Sequence, residues 1–430
     1  MSNPAKQFGA LGPRNFIIWG VFALVLMVAP QIFTSGLAVT MLSQIGIAIV
    51  ACLSFNMLLG QGGMLSFGHA VYSGLGSYVA IHALKAAGGG TFPVPVSLIP
   101  LIGGLSGLGF AVLFGFVTTK KSGTTFAMIT LGIGELVFAM SLMIPEFFGG
   151  EGGVAANRVV GKGTMGVTFG PQIQVYYLIA LYTIVCTALM YAFTRTPLGR
   201  MLNAVRDNPE RVEFIGYNTQ RVRYISFIIA GFFAGIAGGM YALNFEIATA
   251  EVVGAGRSGA YLLFTFLGGA TFFFGPIIGA VLMIVAFVLL SEFTKAWLLY
   301  LGLVFLLMVM YAPGGIASLI MMNLRVYLFG KLGRLLKWYG LLALTGLATF
   351  CGVAAMIEMV YHLQLNEAMG PVMRFMGVEL DAKSVASWLG AVVVGGVGFV
   401  LFEVIRRRFA GHWGDVQGEI EAAIRAREAA

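Results

Sequence analysis

Few side chains in this 430-residue sequence are placed to do chemistry, and those few stand far apart. Glu135 lies near the middle of an apolar stretch at about 124–144, beside Gly132 and Gly134. An ionisable group at that depth is costly unless it faces a cavity or a partner, so Glu135 is a candidate for a solute path; a protonated carboxyl bonded to a neighbouring helix is the alternative. Between two other apolar stretches, the segment Leu59–His69 carries four glycines together with Gln61, Ser66 and His69. Irregular backbone at membrane depth is tolerated only where protein buries it or where it lines an aqueous cavity. Gln61, Ser66 and His69 are therefore path candidates, with a tight interhelical turn and a merely hydrogen-bonded His69 as the plainer reading. Catalysis finds no support. There is no Gly-x-x-x-x-Gly-Lys-Ser/Thr phosphate loop and no His-Glu-x-x-His metal motif, and the four histidines are scattered, so neither ATP hydrolysis by this chain nor a metal site is expected.

The polar loop Thr196–Asn218 is the most informative segment. Asp207 or Asn208 can cap a helix with Pro209 at its first position and acids in its first turn, and Gly216 can end it. A short capped helix carrying Glu210, Arg211 and Glu213 is thus offered to a partner, with Arg206 and Asp207 at its entrance; an ordinary amphipathic loop helix is the alternative.

The elements that must position these groups follow from composition. With 59% hydrophobic and 10% charged residues, the chain has too little polar surface to face water. Apolar stretches of roughly 17 to 25 residues recur throughout, the length a helix needs to cross a bilayer. The expectation is an all-α polytopic membrane protein: a core of about ten spans at 16–34, 37–59, 69–87, 94–118, 124–144, 173–194, 223–243, 254–273, 276–292 and 296–312. The run from Tyr261 to Leu290 must break at Gly275-Pro276 for the spans to alternate. Gly231, Gly235 and Gly239, and Gly103, Gly107, Ala111 and Gly115, recur every fourth residue, as helices that approach closely require. Cys52, Cys186 and Cys351 read as small core residues.

The formal charge of +8 is a matter of placement and not of nucleic-acid binding. With a cytoplasmic N-terminus after Lys6 and Arg14, about nineteen of the 26 Lys and Arg fall inside, which puts both termini in the cytoplasm. The Gly-rich segment 147–171, with Glu151, Arg158 and Lys162, then lies outside. The expected organisation is a core at 1–325, an amphipathic segment with two further spans at 326–408, and a cytoplasmic tail at 409–430. In the second region Lys331, Arg334 and Lys337 share a helical face suited to an anionic membrane surface.

Several separated blocks resemble, in order, the branched-chain amino acid ABC transporter permease family. They are Gly60–Tyr78, Phe126–Leu131, Gly199–Gly216, Phe233–Gly238, Leu267–Gly269, Gly275–Ala280 and Ala312–Ile316. The resemblance covers about 35–320 and implies a bacterial inner-membrane permease without its own cofactor. It also implies a second homologous permease, two ATPase subunits that hold ATP and magnesium, and a periplasmic solute-binding protein. The family's Glu-Ala-Ala-x-x-x-Gly docking helix keeps its ends here at Glu210 and Gly216, while Arg211 and Val212 replace the alanines. A secondary transporter or channel for a small polar solute is the competing reading, resting on Glu135 and the Gly60–Gly68 break.

Overall fold

The computed structural model describes residues 13–90, 94–160, 168–365 and 370–429; Lys6 and Lys162 lie outside the described residues. Apolar sequence becomes helix because a backbone in lipid must satisfy its own hydrogen bonds. In chain order the helices are α1 Pro13–Ile32, α2 Gly36–Gly62, α3 Ala70–Gly88, α4 Ile99–Thr118, α5 Gly123–Met143 and the single turn α6 Pro145–Phe148. Next come α7 Gln172–Arg195, α8 Pro197–Asp207, α9 Pro209–Phe214, α10 Thr219–Phe245, α11 Ala255–Gly268 and α12 Gly275–Ile284. A π-helical turn, Val285–Leu290, joins α12 to the short α13 Ser291–Phe293. The last four are α14 Trp297–Tyr311, α15 Gly315–Leu328, α16 Leu332–Leu365 and α17 Val385–Ala429. Among the described residues eight helical segments are long and apolar enough to cross a membrane, or nine if α14 and α15 count as one span.

One expected span is not continuous. The stretch at 254–273 forms α11, whose 14 residues reach about 21 Å and fall short of the roughly 30 Å of hydrocarbon. The chain breaks after Gly268 and resumes helix at Gly275 with Pro276 in the first turn, so the split read at Gly275-Pro276 is where α12 begins.

The described residues form two compact units, one of those up to Leu289 with Phe305–Ser318 and one of Leu290–Val304 with those from Leu319 onward. In the first, α10 packs on α4, α3 and α2. The two glycine stripes meet each other. A Cβ on Gly235 would sit 2.9 Å from the Gly107 Cα and against the Gly103 carbonyl; one on Gly239 would sit 2.6 Å from the Pro100 Cα, and one on Gly231 would strike Ala111. Strand β1 Val154–Ala155 pairs antiparallel with β2 Ile247–Ala248, Val154 opposite Ala248. Arg158, expected in an outer loop, is buried there as a clamp. Its guanidinium donates to the carbonyls of Phe169 (2.8 Å), Gly170 (3.0 Å) and Leu243 (3.2 Å) and to Gln172 Oε1 (3.2 Å).

In the second unit the basic stretch is not a separate surface helix. Lys331 immediately precedes α16, and Arg334 and Lys337 lie in its first turns. Lys331 bonds Glu419 of α17, as does Arg334 at 3.2 Å. The tail continues α17 without interruption to Ala429, with Val416 and Ile420 buried against Val326 and Leu335. The Glu358 carboxylate of α16 accepts bonds from Thr294 Oγ1 (2.5 Å) and the Tyr300 hydroxyl (3.1 Å), and β3 Val372–Phe375 pairs with β4 Val378–Asp381 between the two long helices. Cys52 and Cys186 are buried free thiols; Cys351 is half-buried and also free.

Because backbone and not side chain opposes Gly235, Gly235→Leu cannot be accommodated by a rotamer change. Overpacking typically destabilises by about 1–3 kcal/mol, and this site is expected at the upper end. Gly109→Leu on α4, where a Cβ meets nothing within 4 Å, is the control. Thermal unfolding in detergent should show a clear loss for the first and little for the second; equal midpoints would contradict the packing.

Candidate functional site

Two backbone bonds and three side-chain-to-backbone bonds define the break between α2 and α3. Helix α2 ends on Gly63 in the left-handed region (φ 62°), where Gly63 N donates to Leu59 O and Met64 N to Leu58 O, satisfying two of the terminal carbonyls. The next carbonyl, Gly60, accepts Arg206 Nη1 of α8 at 2.5 Å. Phe67 N donates to Thr130 Oγ1 of α5 at 3.1 Å, and Ala70 N, the first residue of α3, to Ser258 Oγ of α11 at 3.0 Å. The three side-chain partners, Arg206, Thr130 and Ser258, come from three different helices. The positive charge of Arg206 also lies at the negative end of the α2 dipole.

Of the path candidates in this segment, Ser66 and His69 are fully buried and Gln61 is half-buried. His69 Nε2 lies 2.9 Å from Ser54 Oγ and its ring stands edge-on to Phe55, while Gln61 Oε1 accepts Asn203 Nδ2 of α8 at 3.0 Å. Ser66 Oγ and His69 Nδ1 have no hydrogen-bond partner among the described residues.

The elbow α8–α9 forms from local signals. Thr196 Oγ1 accepts Gly199 N at 3.1 Å at the start of α8, and Asn208 Oδ1 accepts Arg211 N at 3.0 Å at the start of α9, so Asn208 is the cap and Pro209 takes the first position. Gly216 follows α9 with φ 90°, a backbone that L side chains rarely adopt. Val212 is buried, and Glu213 accepts a bond from Thr219 Oγ1 at 2.7 Å. Glu210 is exposed; so are Phe214 at 89%, Ile215 and Tyr217, an apolar group at the end of a polar helix. Of the five elbow residues singled out from sequence, Arg206 faces inward to Gly60, Asp207 pairs with it at 2.9 Å, and Asn208, Glu210 and Gly216 surround α9.

Glu135 is elsewhere. It lines an open cavity of about 540 Å³ together with Phe138 of α5, Tyr241 of α10, Glu251, Arg257 of α11 and Phe287. The Arg257 guanidinium lies over the Tyr241 ring, 4.9 Å from its centroid. Glu251 sits in the 3-10 turn Ala250–Val253 that leads into α11. Glu251, Arg257 and Tyr241 were not singled out from sequence. The available signal was Arg257 itself, an arginine placed inside an otherwise apolar span. The break, the elbow and the cavity are separate in position, yet Thr130 precedes Glu135 on α5 and Ser258 follows Arg257 on α11.

Residues 37–313, which contain all three, match the family described as the permease component of branched-chain amino acid transport systems. The high-affinity branched-chain amino acid transport system permease protein LivM of Salmonella typhimurium is 29% identical over 315 residues, covering 68% of this chain and 73% of that protein. LivM of Escherichia coli is 27% identical over 317 residues, covering 69% and 73%. The fructose import permease protein FrcC of Rhizobium meliloti is 23% identical over 299 residues, covering 63% and 75%. No solved structure matches the chain.

Removing the Arg206 charge should loosen the end of α2. Arg206→Ala is expected to lose about 1 kcal/mol locally, the value of a partly exposed charged bond to a helix terminus. Amide exchange at residues 58–64 should accelerate several-fold, with Arg206→Lys intermediate; unchanged exchange there would refute the capping role.

Proposed function

Because the chain belongs to the branched-chain amino acid transport permease family, we propose that it is the membrane subunit of an ATP-driven importer for branched-chain amino acids, forming half of the translocation pathway. In this reading a second homologous permease completes the pathway and two separate ATPase subunits supply ATP hydrolysis. A periplasmic solute-binding protein delivers the solute. The bilayer is the bacterial inner membrane, with both termini and the α8–α9 elbow in the cytoplasm and the Gly-rich segment 147–171 outside.

The observation that carries the coupling role is the exposed apolar group Phe214, Ile215 and Tyr217 at and just beyond the end of a helix fixed by its own cap. Apolar side chains clustered on a polar elbow favour a protein partner. The buried Val212 and the Glu213–Thr219 bond hold α9 against the rest of the chain, so a force on its outer face is transmitted and not absorbed. From α9 the rigid route runs through α8 to Arg206 and Gly60. Glu135, exposed on an apolar helix, supports a second subunit or an aqueous path beside α5.

The test is reconstitution of the complete importer in vesicles, following ATP hydrolysis and amino acid uptake together. Phe214→Ser should leave unfolding within about 0.5 kcal/mol of the parent, as surface changes do, while lowering hydrolysis stimulated by the binding protein. Gly216→Val should be more damaging, since a left-handed backbone costs a β-branched residue about 1–2 kcal/mol and misplaces α9. Normal uptake per ATP in both variants would remove α9 from the coupling role.

A further inference from the structure

The cavity beside Glu135 has a composition that a passive opening through apolar helices would not have. Its lining brings two carboxylates, Glu135 and Glu251, and one guanidinium, Arg257, into a single space of about 540 Å³ walled by Phe138, Val252 and Phe287. No ion pair joins these acids to Arg257 among the described residues. Carboxylates and a guanidinium that line one cavity without an ion pair between them attract a ligand that carries both signs. The Arg257 guanidinium lies over the Tyr241 ring, 4.9 Å from its centroid, and a guanidinium offers a carboxylate two parallel N–H bonds. Ala255 and Gly256, in the first turn of α11, line the same space, so the positive end of a broken helix lies beside the guanidinium. Arg257 and Tyr241 also line two smaller adjoining cavities, of about 40 and 10 Å³, which adds Gln44, Ser73 and Ser77 to the polar groups within reach of the site.

We infer that this cavity is a zwitterion-reading site within the permease: Arg257 binds the carboxylate of an α-amino acid, Glu135 and Glu251 bind its ammonium group, and the side chain rests on Phe138 and Phe287. The inference rests on the importer reading above and deepens it. Solute selection is then shared between the binding protein and the membrane subunit, and a neutral sugar, lacking both charges, leaves Glu135, Glu251 and Arg257 unmatched. The site also selects by wholeness, because either half of the amino acid alone leaves one sign of charge in the cavity unmatched.

Alkylation of a cysteine in the cavity reads occupancy without reliance on the binding protein. Gly256 is the position for it, since a Cβ there meets nothing within 4 Å and the residue lines the space. Of the native cysteines, Cys52 and Cys186 are buried, and the half-buried Cys351 is replaced by serine. In the complete importer carrying Gly256→Cys and Cys351→Ser, leucine at ten times its half-protecting concentration should slow alkylation about tenfold. Neither 4-methylpentanoate, which lacks the amine, nor 3-methylbutylamine, which lacks the carboxylate, should protect comparably. Arg257→Gln should raise the half-protecting concentration of leucine at least about tenfold, and Glu135→Gln should do so to a smaller degree. Arg257→Lys, which keeps the charge and loses the fork, should fall between the parent and Arg257→Gln. Uptake by the same vesicles separates the two ways of failing. Leucine uptake without protection, or equal protection by the two half-molecules, would overturn the zwitterion site and leave the importer standing. Absence of amino acid uptake from the parent importer supplied with its binding protein would overturn the importer reading and this inference with it.

Discussion

A helix end packed inside protein leaves backbone groups that its own ladder cannot satisfy, and much of the first unit can be understood from how the chain answers that constraint between Gly60 and Ala70. The answers are Arg206 on the Gly60 carbonyl, Thr130 on the Phe67 amide and Ser258 on the Ala70 amide. Each comes from a helix that also carries, or leads into, one of the candidate features. Arg206 ends α8, which leads into the exposed α9; Thr130 lies on α5 before Glu135; Ser258 follows Arg257 on α11. Bonding the break therefore joins the elbow, the acid of α5 and the guanidinium of α11 to one short segment of backbone.

Around that junction the core is set by backbone proximity. The stripes Gly231, Gly235, Gly239 and Gly103, Gly107, Ala111 let α10 and α4 approach until a single added methyl group would strike main chain. Without a hydrophobic force between helices in lipid, such contact supplies much of the cohesion, and it makes the α3–α4–α10 assembly a firm base against which α11 and the elbow can be positioned. The short α11 is free of the need to span. It can therefore present its first turn to the cavity while its end reaches the Gly268–Gly275 break.

Local chemistry was legible in the sequence. The membrane class, the cap at Asn208 with Pro209 after it, the left-handed Gly216 and the glycine stripes each follow from residue type and spacing within a few turns. What required the structure depends on residues distant in sequence. Arg206 reads as a charge offered to a partner, yet it bonds a carbonyl 146 residues earlier. Glu251 and Arg257 lie far from Glu135 in sequence, and folding sets all three around one cavity. Lys331 and Arg334 read as lipid-facing until Glu419 returns along α17. Periodicity also made 254–273 a full span, because hydropathy does not register the backbone turn at Gly269, where φ is 115°.

The proposed importer reading and the three side-chain bonds at the break together imply that the state of the elbow reaches the cavity. The most direct measurement of that link is the alkylation rate of a cysteine at position 256 in the assembled importer, with and without nucleotide trapped on the ATPase subunits. The account predicts a nucleotide-dependent rate in the parent that is lost in Ser258→Ala, where the tie between α11 and the start of α3 is cut. A rate indifferent to nucleotide in the parent, or an undiminished response in Ser258→Ala, would contradict it.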